Sequence, residues 1–106
     1  MPSQGEFDGV SGVYSTPTQN AAVGGTSEED IAANPARVCV VISNYGSDNV
    51  YLGVGQTAVI NQGLYLAASG GVVQIGGPAG LPLSKLAING IVVSGSGTVA
   101  IQEITT

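Results

Sequence analysis

Val38-Cys39-Val40-Val41-Ile42-Ser43, then Asn44-Tyr45-Gly46-Ser47-Asp48-Asn49, then Val50-Tyr51-Leu52-Gly53-Val54 is the stretch whose reading decides the fold. Two short runs rich in β-branched residues flank six turn-forming ones, the pattern of strand, turn and strand. Val50, Leu52 and Val54 share one face of the second run, opposite Tyr51 and Gly53. Both runs are strand-sized, and no stretch of the chain approaches the ~18 to 20 apolar residues of a membrane helix.

The pattern continues toward the C-terminus. Ala58-Val59-Ile60, Leu64-Tyr65-Leu66-Ala67, Val72-Val73-Gln74-Ile75, Leu83 to Asn89 and Gly90 to Val93 are runs bounded by Gly, Asn, Ser or Pro. In the last run, Val99, Ile101 and Glu103 point one way and Thr98, Ala100, Gln102 and Ile104 the other, so neither face is cleanly apolar. Strands at this spacing with Gly-rich turns predict an all-β fold, a small β-sandwich or jelly-roll-like barrel over residues 37–106. Disorder is the competing reading of 17 Gly and 5 Pro, and it fails against a hydrophobic fraction of 43%.

Charge is scarce and unevenly placed. The 106 residues hold two Lys+Arg, seven Asp+Glu and no His, for a net charge of -5 with 8% of the chain charged. Such a length suits one domain. Glu6, Asp8, Glu28, Glu29 and Asp30 all precede Arg37, whereas Arg37, Lys85, Asp48 and Glu103 balance in the remainder. Residues 1–36 also lack apolar runs and read as an extended acidic arm. Within it, Thr26 to Pro35 has capping-box spacing and acids suited to a first helical turn, which predicts a short helix over 27–33 ended by Pro35. Three consecutive carboxylates on a helix cannot all face one cation, and no calcium-loop spacing is present.

Most chemistry at neutral pH needs a His, a tuned carboxylate or Lys, or an activated Cys, so the composition argues against an enzyme. Ser84 beside Lys85 would lie on opposite faces of a strand, which does not suit a nucleophile and its base. Gly53-Val54-Gly55 lacks the third glycine and helix of a dinucleotide fingerprint, and no P-loop is present. Cys39, inside an apolar run, reads as a buried thiol. Two cations forty-eight residues apart cannot make the basic patch that nucleic acid requires. No cofactor, metal or small-molecule substrate is expected, and no membrane contact. Met1 to Glu6 shows neither a basic n-region nor an apolar h-region, so no secretory signal is expected.

A body of some seventy residues without disulfide or metal sits where one core supplies only ~3 to 5 kcal/mol. Its surface also falls far below the ~25 to 35% charge usual for a solvated monomer. Both features predict that part of the surface is buried against identical copies or another protein. Tyr14, Tyr45, Tyr51 and Tyr65 offer rings for stacking on sugar, which keeps a carbohydrate-binding module as a competitor, although such modules usually show Trp.

Several pieces in order carry a resemblance: Arg37-Val38-Cys39-Val40-Val41-Ile42-Ser43-Asn44, Val50-Tyr51-Leu52-Gly53, Gly63-Leu64-Tyr65-Leu66 and Ser94 to Glu103. Together they resemble small β-structured virion proteins of tailed bacteriophages, especially capsid decoration (cement) and head-fibre-base proteins. The resemblance covers roughly Arg37 to Glu103 and leaves the arm outside. It implies a non-enzymatic protein, made in the host cytoplasm, that docks on the capsid exterior against the major capsid protein, often as a homotrimer, and stabilises the shell. The alternative is a head-fibre or tail-associated β module that binds a receptor or carbohydrate. The expected capsid or subunit contacts are Phe7, Val10, Val13 and Tyr14 in the arm, Arg37 at the junction, and Tyr45, Tyr51 and Tyr65 in the body. Arg37 is further expected to pair with a carboxylate at the junction and hold the arm's exit direction, with an exposed, solvated Arg as the alternative.

Overall fold

The computed structural model describes residues 19–93 and 96–106. Eight strands run in the order β1 (Gln19–Val23), β2 (Glu28–Ile31), β3 (Arg37–Asn44), β4 (Val50–Val54), β5 (Leu64–Leu66), β6 (Val72–Gly76), β7 (Ile88–Ile91) and β8 (Gly97–Thr105). They form two four-stranded antiparallel sheets, ordered β1-β8-β3-β6 and β2-β7-β4-β5. Every connection except β4 to β5 switches sheet. No helix occurs among the described residues, and so none long and apolar enough to cross a membrane.

The core follows from alternation on these strands. Val40 and Ile42 of β3, Val99 and Ile101 of β8, Val23 of β1 and Ile75 of β6 come from the first sheet. Val50 and Leu52 of β4, Leu66 of β5, Ile88 of β7 and Ile31 of β2 come from the second, and all join one buried cluster. Burying apolar residues of both sheets in one cluster is what makes short strands hold together. The free thiol of Cys39 is buried, and burial pushes its pKa up, which keeps the thiol protonated and unreactive.

Two expectations are corrected by the strand order. The segment read as a helix over 27–33 forms β2 instead, with Glu28 opposite Gly90 and Ile31 opposite Ile88 of β7. A two-turn helix is too short to persist on its cap alone, whereas strand pairing satisfies the backbone and buries Ile31. The segment read as the second half of an arm is likewise part of the sheets: β1 edges the first sheet against β8, and Val23 lies in the core. Both are short edge strands, and β2 carries three consecutive acids, which is how edges avoid open-ended pairing. A smaller difference concerns Ala58-Val59-Ile60, which lies in the β4–β5 connection. That connection folds back tightly, and a Cβ on Gly53 would meet the carbonyl oxygens of Gln56 at 2.6 Å and Thr57 at 2.9 Å.

Candidate interaction surface

Arg37, expected at a surface, is buried at 1% exposure. Its Nε donates to Oε2 of Glu103 at 2.6 Å. Nη1 donates to the carbonyls of Ser84 at 3.0 Å and Leu86 at 2.9 Å, and Nη2 to that of Ala32 at 2.8 Å. Asn34 Nδ2 donates to the other carboxylate oxygen of Glu103 at 3.3 Å. The guanidinium therefore ties β3, β8, the exit of β2 and the approach to β7 into one joint. This is a structural role, because four of the five guanidinium donors are spent inside the protein and the side chain is buried out of a partner's reach. The carboxylate partner is Glu103 of β8, sixty-six residues away.

Asn44 has a comparable role at the opposite end of β3. Its Nδ2 donates to the carbonyls of Asp48 at 2.7 Å and Leu66 at 3.0 Å, and its Oδ1 accepts from Gly46 N at 3.0 Å. This buried amide shapes the 45–49 turn and holds it to the end of β5. In the sequence Asn44 shows only as the residue where the apolar run meets the turn; its contact with Leu66 is twenty-two residues distant and has no local signature.

Tyr51 and Tyr65 are brought together. They face each other across β4 and β5, with ring centroids 5.4 Å apart and planes tilted by 37°. Ile91 of β7 lies opposite Tyr51 on the other side. Because Val50 and Leu52 fill the core, this row occupies the outer face of the sheet. Tyr65 is 55% exposed, and Val93 just beyond β7 is 73% exposed. A hollow of about 190 Å³ adjoins the row, lined by Ser47, Asp48, Asn49, Tyr51 and Val93. Tyr45 is exposed on the β3–β4 turn. Phe7, Val10, Val13 and Tyr14 lie outside the described residues.

Lys85 is exposed, while Ser84 Oγ accepts from Leu86 N at 3.3 Å. Among the described residues, no group of three or more His, Cys, Asp or Glu side chains is placed to hold a metal ion. Asp30 stands out because its Oδ2 is buried without a hydrogen-bond partner. The β2 bulge turns its carboxyl into the space that Gly90 leaves by lacking a Cβ. Burial, reinforced by the neighbouring charge of Glu28, raises its pKa from 3.8 to about 6.

No protein-family model matches the chain, and no curated protein or solved structure matches it significantly.

Proposed function

We propose that this chain is a non-enzymatic structural protein that works by protein contact, docking as a symmetric oligomer, a homotrimer, on the exterior of a tailed-phage capsid. The observation that carries this reading is the outer row Tyr65, Tyr51, Ile91 with Val93, an apolar and aromatic strip whose Tyr65 and Val93 are exposed and whose Tyr51 and Ile91 are half-buried. Aromatic side chains at low charge density are what protein interfaces enrich. The internal use of Arg37 removes one of only two cations from the surface, which lowers the cost of covering it.

The strand orders support a jelly-roll sandwich, since β1-β8-β3-β6 facing β2-β7-β4-β5 with sheet-switching connections is the wrapping of two Greek keys. That architecture serves both virion shells and lectins, so the choice between them rests on the surface. Phe7, Val10, Val13 and Tyr14, ahead of β1 in the sequence, are the proposed contacts to neighbouring capsid subunits, where symmetry multiplies a weak contact.

Cryo-electron microscopy of the native particle tests the reading: it expects density for three copies around a three-fold or quasi-three-fold position on the outer shell. Particles whose outer surface carries no such density would end it. The second reading, a receptor- or carbohydrate-binding module, draws on the Tyr51 hollow, where a ring lies beside Ser47, Asp48 and Asn49. A glycan array without hits removes that reading and leaves the first untouched.

A further inference from the structure

A second concave feature opens at another place on the body. Leu52 and Val54 of β4, Leu64 of β5 and Ile75 of β6 form the floor of a cleft of about 410 Å³, with Val59 and Leu81 at its mouth. Residues from both sheets therefore meet in it, at the side where β5 and β6 are the edge strands. Its volume falls within the ~300 to 1,000 Å³ of small-molecule sites and far above the voids of a packed core.

The lining is chemically specific. It contains no Asp, Glu, Lys or Arg side chain. Gln56, Thr57 and Gln62 also line it, and their side chains make no hydrogen bond to any described residue. Three neutral hydrogen-bonding groups, exposed to solvent, thus stand around an apolar floor and can exchange water for a ligand. A charged ligand would lose its hydration there with nothing to offset the loss, whereas an apolar one with a hydroxyl, carbonyl or amide would not.

The walls are fixed before any ligand arrives. Asn89 Nδ2 donates to the Gln56 carbonyl at 2.6 Å, Ala58 N to Ser27 Oγ at 2.9 Å, and Gly55 N to the Ala87 carbonyl at 2.7 Å. Gly63, at φ 74°, packs against the Leu52 carbonyl so closely that a Cβ would collide with it. Preorganised walls spare a ligand the cost of ordering them.

Addition of a peptide strand is the competing use of such a cleft, and the backbone disfavours it. The β6 edge is already taken at this point: Gly76 N donates to the Leu81 carbonyl and Leu81 N to the Gln74 carbonyl, both at 2.8 Å. On the other side β5 offers only three residues.

We infer that the cleft between β4, β5, β6 and the Gln56–Gln62 wall is a binding site for an uncharged, mainly apolar small molecule bearing a neutral polar group. This site is separate from the tyrosine row and stands whether or not the capsid reading does.

The test is titration of the full chain with prodan, a neutral naphthalene ketone dye, and with the anionic dye 8-anilinonaphthalene-1-sulfonate. Saturable one-to-one binding of prodan is expected, with the anionic dye at least ~10-fold weaker. Val59→Asp introduces charge at an exposed rim position and Thr57→Trp fills space from an exposed one, so neither removes core packing. Each should weaken prodan at least ~10-fold, while Tyr65→Ser, on the other surface, leaves it unchanged. Unsaturable prodan binding, equal binding of the anionic dye, or variants that bind as well as the parent overturns the inference. Saturable binding of an uncharged apolar decapeptide without saturable prodan binding also overturns it, in favour of a protein ligand.

Discussion

Arg37 Nε and Glu103 Oε2 lie 2.6 Å apart in the interior, joining the first residue of β3 to the far end of β8. Three backbone carbonyls accept three of the other four guanidinium donors. Removing one partner leaves a buried charge without compensation, which costs about 3 to 5 kcal/mol. Arg37→Met should therefore lower the urea midpoint sharply, with Glu103→Gln less damaging because the amide keeps an acceptor for the guanidinium. Equilibrium urea unfolding of the two variants beside the parent checks the order.

Asn44 supports the turn that leads into Tyr51. Asn44→Ala strands the carbonyls of Asp48 and Leu66 and the N–H of Gly46, at a cost of about 1 to 3 kcal/mol. Thermal unfolding measures the loss, and amide exchange should show Gly46 and its neighbours losing protection first.

Asp30 gives stability a pH dependence of known sign. Its folded pKa of about 6 lies above the ordinary 3.8, so the native state holds the proton more tightly than the unfolded chain. Its favourable contribution is complete below the ordinary value and is lost as pH rises through about 6. Asp30→Asn removes the titration, so the variant should lose less stability between acid and neutral pH and melt higher than the parent above neutrality. Parallel melting curves from acid to mildly alkaline pH check this; identical slopes for the two proteins would contradict it.

Much of the fold is legible in the sequence, for identifiable reasons. β3, β4, β6 and β8 announce themselves by apolar runs or alternation because each has a face in the core. β1 and β2 are hidden, since edge strands need only one or two buried residues, here Val23 and Ile31, and the acids of Glu28–Ile31 also suit a helix start. Glu103 looks like a fault in an apolar face until Arg37 is found beside it, and a separation of sixty-six positions hides that pairing. The tyrosine pair is hidden for a similar reason. Tyr51 and Tyr65 meet through a long irregular connection whose register no turn motif sets.

Self-association should depend on that row. Tyr65→Asp places a charge on a side chain that is already solvent-facing, so the fold is retained while the apolar strip is interrupted. In sedimentation velocity across a concentration series, the parent is expected near three times its 10.4 kDa monomer mass, and the variant nearer the monomer. A parent that sediments as a monomer throughout contradicts the proposed trimer.

The central claim, docking on a capsid by protein contact, is tested most directly by adding labelled chain to shells of the same virus purified without it and counting copies per pelleted shell. The expected result is saturable binding at a copy number that is a multiple of three, reduced by Tyr65→Asp. Chain that remains wholly in the supernatant at every concentration would contradict it.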